Sequence, residues 1–163
     1  MTTNTQTRSV FSAYVTKGLL LASGLLAAGI ATTIFLAPGA FYAGYGIDIG
    51  TNVSLANELK APAGMLLMAG LLMLAGVFRA EFAVPSLAAA TVIYLSYGLS
   101  RVLSMMIDGV PNSALVGAAV LEIAIGVSCF LGLMHIRRAG RMQGQANIGG
   151  TSKLVRGSAD VAK

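Results

Sequence analysis

Residues 94–123 read YLSYGLSRVLSMMIDGVPNSALVGAAVLEI, and this stretch decides the fold. Two apolar segments meet at the short break DGVPNS, whose Asp, Gly, Pro, Asn and Ser are turn formers. So short a connection makes the flanking helices antiparallel neighbours. One ionisable group interrupts each flank, Arg101 before the break and Glu122 after it. At 1.5 Å per residue, Arg101 lies about 9 Å from the end of its segment and Glu122 about 12 Å from the start of its own. An ion in hydrocarbon costs several kcal/mol unless it faces the protein interior and finds a partner. Similar depth on adjacent helices therefore predicts an Arg101–Glu122 pair, whether as a structural clamp or as the polar wall of a pocket.

Outward from this hairpin the pattern repeats. Residues 18–36, 59–78, 84–107 and 114–136 each approach the ~20 apolar residues that a helix needs to cross about 30 Å of hydrocarbon. The chain is 56% hydrophobic and 10% charged, whereas soluble domains carry about 25% charged residues. The sequence thus predicts an all-α, polytopic membrane protein, a four-transmembrane-helix antiparallel bundle over residues 18–136. A polar N-tail (1–17) precedes it, and a basic C-tail (137–163), rich in Gly, Ser and charge, is expected to be disordered. The first apolar segment is expected to be retained, because no small-residue cleavage motif follows it.

A net charge of +5 raises the question of nucleic acid, but the basic residues form no patch. Arg8, Lys17, Arg79, Arg137, Arg138, Arg141, Lys153, Arg156 and Lys163, nine of the eleven Lys and Arg, lie in the N-tail, the RAEF turn or the C-tail. The connections at 37–58 and 108–113 hold none. The positive-inside rule then puts both termini and RAEF in the cytoplasm and the other two connections outside.

Helical spacing assigns faces within the bundle. Tyr94, Tyr97, Arg101, Ser104 or Met105, and Asp108 form a polar stripe on the third span. Ala118, Glu122 and Gly126 form a facing ridge of small residues around a carboxylate. Glu58, at the outer end of the second span, is a third candidate partner for Arg101. On the first span, Gly18, Ala22, Leu25 and Gly29 are expected to be the packing stripe. Pro62 is expected in the opening turn of the second span, where a missing N–H is harmless. Phe41, Tyr42 and Tyr45 suit a segment at the headgroup level, as an anchor or as a lid. The methionines read as adaptable packing. His135, beside Arg137 and Arg138, reads as a helix-end residue. Cys129 is alone, so no disulfide, CxxC pair or cysteine metal cluster can form within the chain. No metal or cofactor is expected.

With NELKAPAG, the P…FYAGYGI segment and YGLSR…DG.PN…LE, the chain resembles a bacterial membrane family labelled domain of unknown function 4345, over residues 15–136. That family is similar to small four-helix DoxX-like proteins, some of them associated with quinone-linked oxidation. The resemblance implies an integral protein of the inner membrane with no assigned reaction. Its matching positions are Asn57, Glu58, Gly64, Arg101, Asp108, Gly109 and Glu122; Lys60 stands where the pattern has Arg. Nothing cysteine-based carries over to a chain with one cysteine.

Soluble catalytic signatures are absent: no P-loop, dinucleotide-binding GxGxxG, HExxH or GxSxG occurs. Three readings follow. The favoured one is a noncatalytic accessory subunit or binder of a lipophilic or anionic small molecule, with Arg101, Glu122, Glu58, Tyr94, Tyr97, Asn57 and Asp108 as binding candidates. The others are a component of a quinone-linked membrane oxidoreductase, with Tyr94 and Tyr97 flanking the headgroup, and an oligomeric proton-coupled transporter using Glu58, Arg101 and Glu122. Expected partners are the lipid bilayer, a lipid or quinone ligand, and further copies of the chain or a larger membrane complex.

Overall fold

A computed structural model describes the backbone of residues 3–161 and the side chains of residues 13–138. Its elements are α1 (Thr3–Leu36), α2 (Pro38–Ala43), α3 (Val53–Phe78), a 3₁₀ turn (Ala80–Phe82), α4 (Ala83–Asp108) and α5 (Ser113–Val161). Four stretches are long and apolar enough to span a bilayer: Ala13–Leu36, Val53–Phe78, Ala80–Asp108 and Ser113–Arg138. They pack as an antiparallel all-helical bundle. Backbone groups in hydrocarbon must be satisfied within their own segment, which is why the spans are helical throughout.

Local chemistry sets the ends. Pro38 stops α1 and opens α2 in its first turn, where its missing N–H leaves no helical bond unmade. Asn52 caps α3, its Oδ1 accepting from the Leu55 N–H at 3.0 Å. This start lies several residues before the expected one, so Pro62 falls inside α3 and not in its opening turn. The Glu58 carbonyl accordingly loses the helical N–H that another residue would offer it. Gly109 ends α4 at φ 96°, a backbone conformation that costs a side-chain-bearing residue strain. No helix end marks the expected boundaries at 17/18 and 136/137: α1 begins at Thr3 and α5 continues to Val161. No proline follows Pro111 to remove a backbone donor.

Small residues determine which helices touch. In lipid, close approach and dispersion drive association, because lipid tails are as apolar as leucine. A Cβ on Gly70 would sit 2.8 Å from the Ala28 backbone nitrogen, and one on Gly24 3.1 Å from the Gly70 carbonyl. Thus α1 and α3 meet backbone to backbone. At the α4–α5 seam, a Cβ on Gly126 would lie 2.7 Å from Leu95 Cγ, and one on Gly98 2.6 Å from Ile123 Cγ1. The two pairs join near the RAEF turn, where Ser86 fills the space beside Gly76 and its Oγ donates to the Leu72 carbonyl at 2.7 Å. Leu20, Met73, Leu87 and Cys129 complete a fully buried core in that half.

The packing face of α1 is not the expected stripe. Gly18, Ala22, Leu25 and Gly29 are all exposed, and nothing lies within 4 Å of a Cβ built on Gly18 or Gly29. The inward face is Leu20, Ser23, Gly24, Ala27, Ala31 and Ile34. Leu25, Met65, Phe78, Val92 and Leu131 face outward, where lipid would solvate them.

Gly70→Ala forces α1 and α3 apart and is expected to cost about 1–3 kcal/mol, as overpacking does. Gly29→Ala is expected to leave the melting temperature in detergent unchanged. Equal melting temperatures for the two variants would refute the α1–α3 contact.

Candidate functional site

The half of the bundle that carries α2 encloses a cavity of about 270 Å³. Its walls come from α1 (Leu26, Ile30), α3 (Pro62, Leu66) and α4 and α5 (Ile93, Ala118), with Phe41, Tyr42 and Tyr45 over it. At its floor, the Tyr94 hydroxyl donates to the Ser23 carbonyl at 2.6 Å, tying α4 to α1. Tyr94 is 4% exposed. Its hydroxyl is therefore engaged by protein, and its ring is what it offers to the cavity.

Arg101 and Glu122 form the polar wall. Arg101 Nε donates to Glu122 Oε2 at 3.0 Å and to Oε1 at 3.3 Å, one donor shared between both carboxylate oxygens. The side chains are 34% and 17% exposed, so the pair is partly shielded. Among the described residues, the Arg101 Nη groups make no hydrogen bond. A guanidinium has five N–H donors in a rigid fork, and four of these remain available.

The roof is held by a residue that sequence reasoning missed. Asn112 Oδ1 accepts from the Leu115 N–H at 3.1 Å and caps α5, while its Nδ2 donates to the Tyr45 carbonyl at 2.6 Å. One side chain thereby fastens the segment after α2 to the α4–α5 connection. The visible signal was an Asn three residues before Leu115 at a helix start, an N-cap pattern. Phe41 packs edge-on against Tyr42 and Tyr45, with ring centroids 5.2 and 5.3 Å away. Burial pushes the Tyr42 phenol above its ordinary value.

Of the seven candidates, the structure gathers Arg101, Glu122, Tyr94 and Tyr97 around this cavity. Asn57 and Glu58 are exposed in the early turns of α3 and line no described recess; Leu59, the next residue, does face the cavity. Glu58 therefore makes no ion pair with Arg101. Asp108 accepts from Ser104 Oγ at 3.0 Å and lines a second, more open recess beside the α4–α5 connection. Arg101 and Leu115 belong to both recesses.

The fold and this site define a multi-pass membrane protein with an intramembrane cavity bearing one ion pair. The family model of domain of unknown function 4345 (DUF4345) matches residues 15–133, and the chain belongs to that family. Every residue lining the cavity lies within the matched region. No curated protein and no solved structure matches the chain.

A fully buried pair loses about 3–5 kcal/mol when one partner is removed. With Arg101 a third exposed, Arg101→Met and Glu122→Leu are each expected to cost less, about 1–3 kcal/mol. The double variant should cost less than the sum, because neighbours couple. Strict additivity in a thermal-stability cycle would contradict the pairing.

Proposed function

We propose that this protein binds a lipophilic small molecule with a polar head inside the bundle, acting as an accessory or binding protein of the membrane. The observation that carries this reading is the cavity itself, whose apolar walls converge on the Arg101–Glu122 wall and the Tyr97 ring. Ligand pockets combine mostly apolar lining with a few placed polar groups, usually at volumes of about 300–1,000 Å³. A volume of about 270 Å³ suits a ring-sized head, with any tail leaving between helices. The transporter reading loses support with Glu58 outside the cavity. The reading as part of a quinone-linked enzyme keeps Tyr97 as a ring against the head, while the Tyr94 hydroxyl is taken by α1.

The charge distribution supports an orientation in the inner membrane with both termini in the cytoplasm. In that frame the cavity belongs to the outer leaflet and α2 lies at the outer headgroup level. A periplasm-active reporter fused at Asn112 is expected to work and one fused at Lys163 to fail; the reverse pattern would refute the orientation.

Native mass spectrometry of the detergent-extracted protein is expected to find a co-purified molecule at up to one per chain. Ala118→Phe, which fills the cavity from α5, should remove that mass without lowering the amount of folded protein. A mass retained by Ala118→Phe would contradict binding at this site.

A further inference from the structure

We infer that the head of the bound molecule is an uncharged hydrogen-bond acceptor, a carbonyl or a similar oxygen, and not an anion. This rests on the binding reading above and names the ligand class for the same cavity.

A lone arginine in an apolar cavity would ordinarily suggest an anionic ligand. Here the cation is already answered: Glu122 holds Nε with both carboxylate oxygens, so the wall is neutral as a unit. Asp108 adds a second carboxylate to the other recess that Arg101 lines. Among the described residues, Arg101 is the one cation lining these two recesses, which also carry the carboxylates of Glu122 and Asp108. An anionic head would have to leave water, which is costly for an ion in apolar surroundings, and would then share its counter-charge with both.

The hydrogen-bond inventory points the same way. The Nη N–H groups of Arg101 are uncommitted among the described residues, and Tyr42 and Tyr97 are among the residues lining the cavity. Tyrosine hydroxyls can donate, and guanidinium groups donate only. Both Glu122 carboxylate oxygens face Arg101 Nε. The uncommitted guanidinium N–H groups can only donate, so a neutral acceptor satisfies them without bringing a new charge into hydrocarbon.

Two labelled probes with tails of similar length test this: methyl nonyl ketone, which is neutral, and decanesulfonate, which is ionised at every working pH. Each is equilibrated by dialysis with the full chain in dodecyl maltoside, against micelles without protein. The ketone is expected to bind saturably at one site per chain, on the order of tenfold more tightly than the sulfonate. Glu122→Gln, which leaves Arg101 unneutralised, should shift that ratio toward the sulfonate by on the order of tenfold. Asp108→Asn, at an exposed position, should shift it the same way by less, and serves if Glu122→Gln does not fold. A wild-type preference for the sulfonate, or a ratio unmoved by these variants, would overturn the inference and leave the binding reading standing. Saturable binding of neither probe would overturn both.

Discussion

Arg101 and Glu122 each carry a charge into a part of the molecule where the surrounding helices are apolar. Neither is tolerable there alone. Their contact fixes the rotation of α4 against α5, because only one rotational setting brings both groups to the same interface. It also fixes the axial register, since a shift of one turn, about 5.4 Å, would separate them. The glycine contacts at Gly98 and Gly126 lie one turn from the pair on either helix, at the same seam. Backbone proximity and charge pairing therefore support a single arrangement.

That arrangement divides the bundle into two unlike halves. Near the RAEF turn, small and medium side chains fill the interior around Leu20, Met73, Leu87 and Cys129, and Ser86 locks α3 to α4. Towards α2, the α1–α3 and α4–α5 pairs face each other across longer side chains, and the cavity lies between them. The Tyr94–Ser23 hydrogen bond marks the transition. Asn112 closes the far side by holding the segment after α2 to the head of α5. Packed helices on one side and one tethered segment on the other thus bound the cavity.

The four spans and the pairing of Arg101 with Glu122 were legible in the sequence because each follows from length, hydropathy and the cost of an unpaired ion. The α1 packing face was not. In lipid both faces of a span are apolar, and α1 carries two interleaved sets of small residues; nothing in the 3.6-residue period says whether Gly18, Ala22 and Gly29 or Gly24 and Ala28 meet α3. Glu58 was placed near Arg101 by depth on α3, which says nothing of rotation about the helix axis; Glu58 is exposed, and Leu59 beside it lines the cavity. Asn112 was missed because its second partner, the Tyr45 carbonyl, lies 67 residues away in sequence. The cavity was legible only as a polar stripe, since a void is a property of how four helices fail to meet.

The most direct measurement is the contact between Arg101 Nε and the Glu122 carboxylate in a bilayer. Solid-state dipolar recoupling on the protein in lipid vesicles, with isotope-labelled Arg and Glu, reads this contact directly. Arg79 is distinguished from it because it approaches Glu81 through Nη1. The structure predicts an Nε-to-carboxylate coupling matching an Nε–Oε2 separation of 3.0 Å, abolished in Glu122→Gln. A bilayer sample without that coupling, or one in which Glu122→Gln leaves it intact, would contradict the account.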